Sequence, residues 1–418
     1  MSSMQRPRLA VTAVLVLLAA VATAVGSPPV SGAPGRDDAI TDLLDRRAAA
    51  VRDRDRDAFL ATVSPLASDA FRGRQTAWFD HLTHVPLASY TLVARWDIFG
   101  DLARDRERKR YRRAEEVVVP LTQERLALSG FDEAPAVEDL YLTFVLHNGE
   151  WGIASDNDLE DLGLLSARRL WDFAPVEVRR SKHFMLLEHP GAGAPPGTVA
   201  LAEDAIRRVD RYWGGQWRRR VPIVAPATEL ELQRMLQLTV DLSDFVAFAY
   251  STLDDRRGDV FTGTRIVLNP VAIAGRSRSA TFDVIAHEMA HAASRPRSGP
   301  LTPLWVEEGL AEQVRFGGSN AGGPLPGSAA TGRLPRDASF QYGAVGTILQ
   351  SYQDAYSAVG FFIDRFGLRK FRRFYFELGR AGRGFGTQRY HLTETLRSVV
   401  GMSLREFERA WASSIGAS

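Results

Sequence analysis

The segment Thr281–Ser294, TFDVIAHEMAHAAS, carries the residues best spaced for chemistry. At about 100° per residue, a helix here puts Phe282, Ile285, Met289 and Ala293 in one apolar stripe. His287 and His291 then stand one turn apart on nearly the opposite side, with Glu288 beside them. Two neutral imidazoles at that separation can hold one zinc ion at about 2.0–2.1 Å each. Glu288 points toward the same opening without having to be a ligand. Its carboxylate can take a proton from water whose pKa falls to about 7 on zinc. A nearby pair of histidines alone means little, because His81 and His84 are also close in sequence and read as structural or surface residues.

A zinc ion that works on water needs a third protein ligand and one open position. The segment PLWVEEGLAE, Pro303–Glu312, begins a second helix after a loop rich in Ser, Arg and Pro, so the chain can double back over the first. Glu308 is the expected third ligand, with Glu307 adjoining it but pointing elsewhere on the helix. Gly309 costs roughly 1 kcal/mol of helix propensity relative to Ala, which makes sense where two helices approach closely. Glu312, one turn further on, can accept the remaining N–H of a ligating histidine and so hold its tautomer.

HEMAH at 287–291 and WVEEGLAE at 305–312 together resemble the motifs of the gluzincins, the metallopeptidase clan that includes thermolysin and the zinc aminopeptidases. The closest resemblance is to the peptidase-MA-like group of bacterial proteins, over residues 198 to the C-terminus. It implies that His287, His291 and Glu308 bind Zn2+, that Glu288 is the general base, and that Glu312 is the acid behind the ligands. It also implies a tyrosine that stabilises the oxyanion. Tyr356, in Tyr356-Ser-Ala-Val-Gly360, is the best match, with Tyr352 and Tyr342 as rivals. The family's edge strand falls on Arg265–Asn269 (RIVLN) and would pair with an extended peptide. The Gly/Pro/Ser/Ala-rich stretch 317–332 is either a rim over the cleft or an insertion.

Elements that position these residues can be read along the chain. An amphipathic helix is expected from Asp37 to Ala50, then a charged turn at 51–57 and an apolar stripe at Phe59–Val63. Strands follow at Ser89–Arg95, Glu115–Leu121 and Leu140–His147, and the Asn148-Gly149 turn leads into Trp151–Ala154. The opening helix, DRDAFLATV and LTFVLHNGEWGIASDND resemble the SnoaL-like cone fold, whose members bind small ligands or pair with copies of themselves. Thr198–Trp213 and Glu229–Leu238 read as helices, Val221–Ala225 and Phe245–Tyr250 as strands, and Ser403–Glu406 as a capping box opening the last helix. The expected fold class is α+β. A cone-like α+β domain at 37–175 precedes a mixed α/β and helical zincin-type metallopeptidase domain at 176–418.

At the N-terminus, Arg6 and Arg8 precede an apolar run, Leu9–Val25. Ala22-Thr23-Ala24 or Ser31-Gly32-Ala33 offers a small-residue exit. This pattern predicts a signal peptide or anchor at 1–25 and a linker at 26–36, hence a secreted or extracytoplasmic protein, with an uncleaved membrane anchor as the other outcome. Cysteine is absent, so any metal must be held by His, Asp or Glu. Lys+Arg 52 against Asp+Glu 50 leaves a net charge of +2, which gives no argument for a nucleic-acid partner. The basic stretches 104–113 and 207–220 read as a solvated loop or strand start and as packed aromatics at a helix end.

The expected activity is that of an exported zinc-dependent peptidase acting on peptide or protein. The alternative is a binding or scaffold protein with a structural or vestigial zinc site. N-terminal sequencing of the exported protein is expected to start after Ala24 or Ala33; a chain still carrying Leu9–Val25 is the anchored form.

Overall fold

The computed structural model describes residues 35–238, 242, 245–254, 260–318, 329–341, 345–381 and 387–417. The expected signal and most of the linker lie outside them, as do Tyr342 and residues 319–328 of the Gly-rich stretch. No helix among the described residues is long and apolar enough to cross a membrane.

Three helices open the described chain: α1 (Arg36–Asp53), α2 (Arg56–Leu60) and α3 (Asp69–His81). The charged segment after α1 shrinks to a turn at Arg54 and Asp55, because Arg54 takes a left-handed φ of 59° and the Asp55 side chain caps α2. Strand β1 (Leu87–Ala94) follows, then short helices α4 (Trp96–Phe99) and α5 (Asp105–Arg110). Helix α5 corrects the reading of 104–113 as loop or strand start. Its Glu107 is buried and accepts the Arg104 backbone N–H at 2.9 Å, so the charges pair within one turn.

Strands β2 (Glu116–Val118), β3 (Leu121–Leu128), β4 (Ala136–Tyr141), β5 (Thr143–His147) and β6 (Glu150–Ser155) complete two three-stranded antiparallel sheets. Their orders are β1-β3-β4 and β2-β5-β6. The single strand expected at Leu140–His147 is in fact two, parted at Leu142 as the chain passes between sheets. Asn148 and Gly149, both with positive φ, make the tight β5–β6 turn as expected.

A mixed five-stranded sheet follows, in the order β10-β11-β9-β8-β7. Its strands are β7 (Glu177–Arg180), β8 (Phe184–Glu188), β9 (Val221–Ala225), β10 (Ala247–Asp254) and β11 (Val260–Leu268). Helix α6 (Thr198–Trp213) connects the parallel pair β8 and β9, and α7 (Glu229–Met235) follows β9. Strand β11 is internal, between β10 and β9, so the edge expected at Arg265–Asn269 belongs instead to β10. The β10–β11 hairpin adds one more strand outside the segment that looked terminal.

Both faces of this sheet are buried, which is why FMLLE and VPIVA read as continuous apolar runs. Phe184, Leu186, Ile223 and Ile266 face α6 and the later helices. Met185, Leu187, Val224, Phe248 and Val267 share a core with α1, α3, β1 and β3. The α+β class is thus realised with the N-terminal elements and the sheet in one continuous packing.

The remaining elements are helical: α8 (Pro270–Ile273), α9 (Arg278–Ser294), α10 (Leu304–Phe316), α11 (Ala338–Gln341), α12 (Val345–Phe366), α13 (Leu368–Ala381), α14 (Gln388–Val400) and α15 (Leu404–Ser414). Ser403 and Glu406 close the expected capping box on α15. Helix α10 lies against α9 and also against α12. Gly309 is the close approach, though to α12: a Cβ there would meet the Ala355 carbonyl oxygen and Val359 Cγ2, both at 2.4 Å. Gly309→Ala is therefore expected to lower stability by about 1–3 kcal/mol through overpacking, despite a helix-propensity gain of about 1 kcal/mol. Thermal unfolding measures the balance, and an unchanged or raised Tm contradicts the close packing.

Candidate metal centre

Helix α9 starts at Ser277, whose hydroxyl accepts the Ala280 N–H, and runs between the five-stranded sheet and α10. The expected apolar stripe against an open flank does not hold. Every residue from Val284 to Ser294 is buried, so α9 is enclosed all round. Helix α10 starts after Pro303, with the Asp337 carboxylate accepting the Leu304 N–H at 2.9 Å. It ends at Gly317, whose φ of 77° stops the helix.

These two helices bring His287, His291 and Glu308 together in the interior. The two Nε2 atoms lie 3.1 Å apart, and Glu308 Oε2 is 3.4 Å from His287 Nε2 and 3.5 Å from His291 Nε2. A tetrahedral ion with bonds of about 2.0–2.1 Å sets its ligands roughly 3.3 Å apart. The observed triangle matches that spacing on all three sides. Glu308 Oε2 is buried without a hydrogen-bond partner, so it has an acceptor to spare for a cation.

Behind the triangle, Glu312 Oε1 is 2.7 Å from His287 Nδ1. With the proton on Nδ1 facing Glu312, the His287 Nε2 lone pair points at the triangle. Arg315 Nη1 reaches the same Glu312 oxygen at 3.2 Å. Burial raises the Glu312 pKa, but Arg315 and His287 outweigh it, and the group falls below the usual carboxylate range. Sequence reasoning missed Arg315, although its place three residues after Glu312 on one helix was a legible signal. Glu307 points away as expected: its carboxylate pairs with Arg295 at 3.2 Å and ties the end of α9 to the start of α10.

Electrostatics explain why this place draws a positive charge. Burial drives His291 down to about 4, against the pull of Glu308, so its imidazole is neutral. Burial also disfavours a charge on His287, yet Glu312, Glu308 and Glu288 raise it to about 10. Burial pushes Glu308 up, and the two imidazoles bring it down to about 2. Three carboxylates around two imidazoles thus favour either a proton or a divalent cation at their centre.

Glu288 is fully buried, and no side chain among the described residues donates to its oxygens. Burial raises its pKa to about 8, opposed by His287 and by the Ala249 backbone N–H of edge strand β10. Tyr352 on α12 stands next to this group. Its ring centroid is 6.4 Å from that of His287, Phe340 packs edge-on against it, and its hydroxyl is buried without a hydrogen-bond partner. Burial, reinforced by Glu308, Glu312 and Glu288, raises its pKa well above the usual value and keeps it a neutral donor.

The structure does not bring Tyr356 to the cluster. One helical turn beyond Tyr352, its hydroxyl donates to the Gly318 carbonyl at the end of α10, and its ring meets Phe316. His81 is held by the Trp171 carbonyl at 3.0 Å, away from the cluster.

No protein-family model matches the chain, and no curated protein matches it in sequence.

The metal-depleted protein is expected to take up one equivalent of zinc, measured by competition with a chromogenic chelator. Glu308→Ala abolishes that uptake. Glu312→Gln weakens it about 10- to 100-fold, because the imidazole loses the group that orients it.

Proposed function

We propose that this chain is an exported zinc-dependent peptidase of the gluzincin type. One observation carries the reading: two imidazoles and a carboxylate converge at tetrahedral spacing beside a buried carboxylate, Glu288, to which no side chain among the described residues donates. A scaffold site has no use for such a group, whereas hydrolysis needs a base next to the metal. The HEMAH and WVEEGLAE motifs supply the family likeness, and the basic, apolar start of the chain supplies the argument for export.

His287, His291 and Glu308 would hold a zinc ion, which would supply the Lewis acidity that makes water a nucleophile near neutral pH. Glu288 takes the proton from the attacking water and carries it to the leaving amine, so no covalent bond to the chain forms. Tyr352 donates its O–H to the carbonyl oxygen as negative charge develops there. This role passes from Tyr356 to Tyr352 because the first hydroxyl is engaged with Gly318 and the second is free beside His287. Glu312 and Arg315 hold the His287 ring in its tautomer throughout.

The test uses the zinc-loaded protein and a peptide library read by mass spectrometry. Wild type is expected to cleave, and Glu288→Gln to lose at least about 100-fold in kcat/KM while keeping its zinc. Tyr352→Phe is expected to lower kcat by about 100-fold, with Tyr356→Phe within about threefold of wild type. Full zinc occupancy without cleavage overturns the peptidase reading in favour of a non-catalytic site.

A further inference from the structure

Strand β10 is the edge of the five-stranded sheet, and its two faces serve different neighbours. Ala247 packs in one core with the α9 side chains, and Ala249, two residues on, shares that face of β10. Phe248 faces the N-terminal elements, and Tyr250 follows on that side. Thr252 and Asp254 lie on that side too by alternation, because the register shift between Tyr250 and Thr252 puts its extra residue on β11 and leaves β10 regular.

Each of those three side chains is held by the N-terminal strands. The Tyr250 hydroxyl donates to Glu138 of β4 at 2.9 Å, and the Val137 N–H donates to the Thr252 hydroxyl at 2.9 Å. Arg125 of β3 grips both oxygens of Asp254, at 3.1 and 3.2 Å. Arg169 ties Glu138 to Glu124, at 2.7 and 2.8 Å, and so fixes the acceptor that Tyr250 uses. On the neighbouring strand, Arg265 pairs with Asp132, and Gly263 leaves no room for a Cβ against Ala136. Glu124, Glu138, Thr252 and Asp254 are buried, so loss of a partner leaves a polar group uncompensated in the interior.

An edge strand ordinarily has one free flank and frays readily. Here its second half is clamped by residues 112 to 129 positions earlier in the chain. We infer that the N-terminal elements form a positioning clamp for the metal centre, in which Tyr250, Asp254 and Arg125 hold β10 where it packs against α9 and so keep Glu288 in place. The catalytic part of this inference rests on the peptidase reading; the clamp itself does not. The clamp acts through β10, which packs on α9, the helix that carries Glu288.

Hydrogen exchange by mass spectrometry on the zinc-loaded full chain reads the clamp without any substrate. Tyr250→Phe and Asp254→Asn are each expected to speed exchange of the Ala247–Asp254 amides about tenfold, with Val284–His291 unchanged and zinc stoichiometry intact. Two variants are used so that failure of one to fold leaves the other to decide. Unchanged exchange in β10, or equal acceleration across α9, overturns the clamp. With a cleaved peptide in hand, kcat is expected to fall about fivefold or more at unchanged KM. Loosened β10 with kcat unaltered overturns its link to Glu288, whereas absence of cleavage by wild type overturns only the peptidase reading.

Discussion

The interior of this protein holds three carboxylates within reach of two imidazoles, and the rest of the structure answers to that concentration of charge. An ion removed from water into the interior costs several kcal/mol unless a partner compensates it. Glu312 is compensated by Arg315 and His287, Glu307 by Arg295, and Glu308 by the two imidazoles. What remains is a place of negative potential whose three ligand atoms stand at the spacing of a tetrahedral ion. Packing forces that convergence. Gly309 lets α10 press against α12 on one side while α9 presses on the other, so Glu308 has no route to solvent.

The same economy governs the sheet. Strands β8, β9, β10 and β11 present alternate residues to two cores, and neither core is complete without them. Hydrophobic burial on both faces makes the sheet a rigid middle layer, and the helix with the two histidines lies directly on it. Polar residues at this boundary are held in pairs and triads, as in the Glu124–Arg169–Glu138 group. The helices that bear His287, His291 and Glu308, the middle sheet and the N-terminal strands therefore pack against one another in sequence.

Local sequence signals were reliable where a segment's environment is uniform. Helix α6 begins and ends at the expected residues, the Asn148-Gly149 turn and the Ser403–Glu406 box form as expected, and β9 matches its apolar run. They failed where polar residues are buried. Strand β3, LTQERLAL, was not expected because Gln123 and Glu124 break its apolar alternation; Arg95 and Arg169 pay for their burial. Helix α5 was hidden the same way, by a charge run whose Glu107 lies inside. Pairing across long sequence separations leaves no local periodicity to read.

That His287 and His291 would share one face of α9, and Glu308 and Glu312 one face of α10, was written in their spacing, because i, i+4 positions share a face whatever the fold. The spacing of α9 also implied an open flank, which tertiary packing closed on every side. Which tyrosine meets the centre was likewise a tertiary decision. Tyr352 and Tyr356 lie on one face of α12, and only the depth at which that helix crosses α10 selects between them, one turn of about 5.4 Å apart. The identity of the edge strand had the same origin, since a hairpin's neighbours depend on how the whole sheet orders itself and not on any residue within RIVLN.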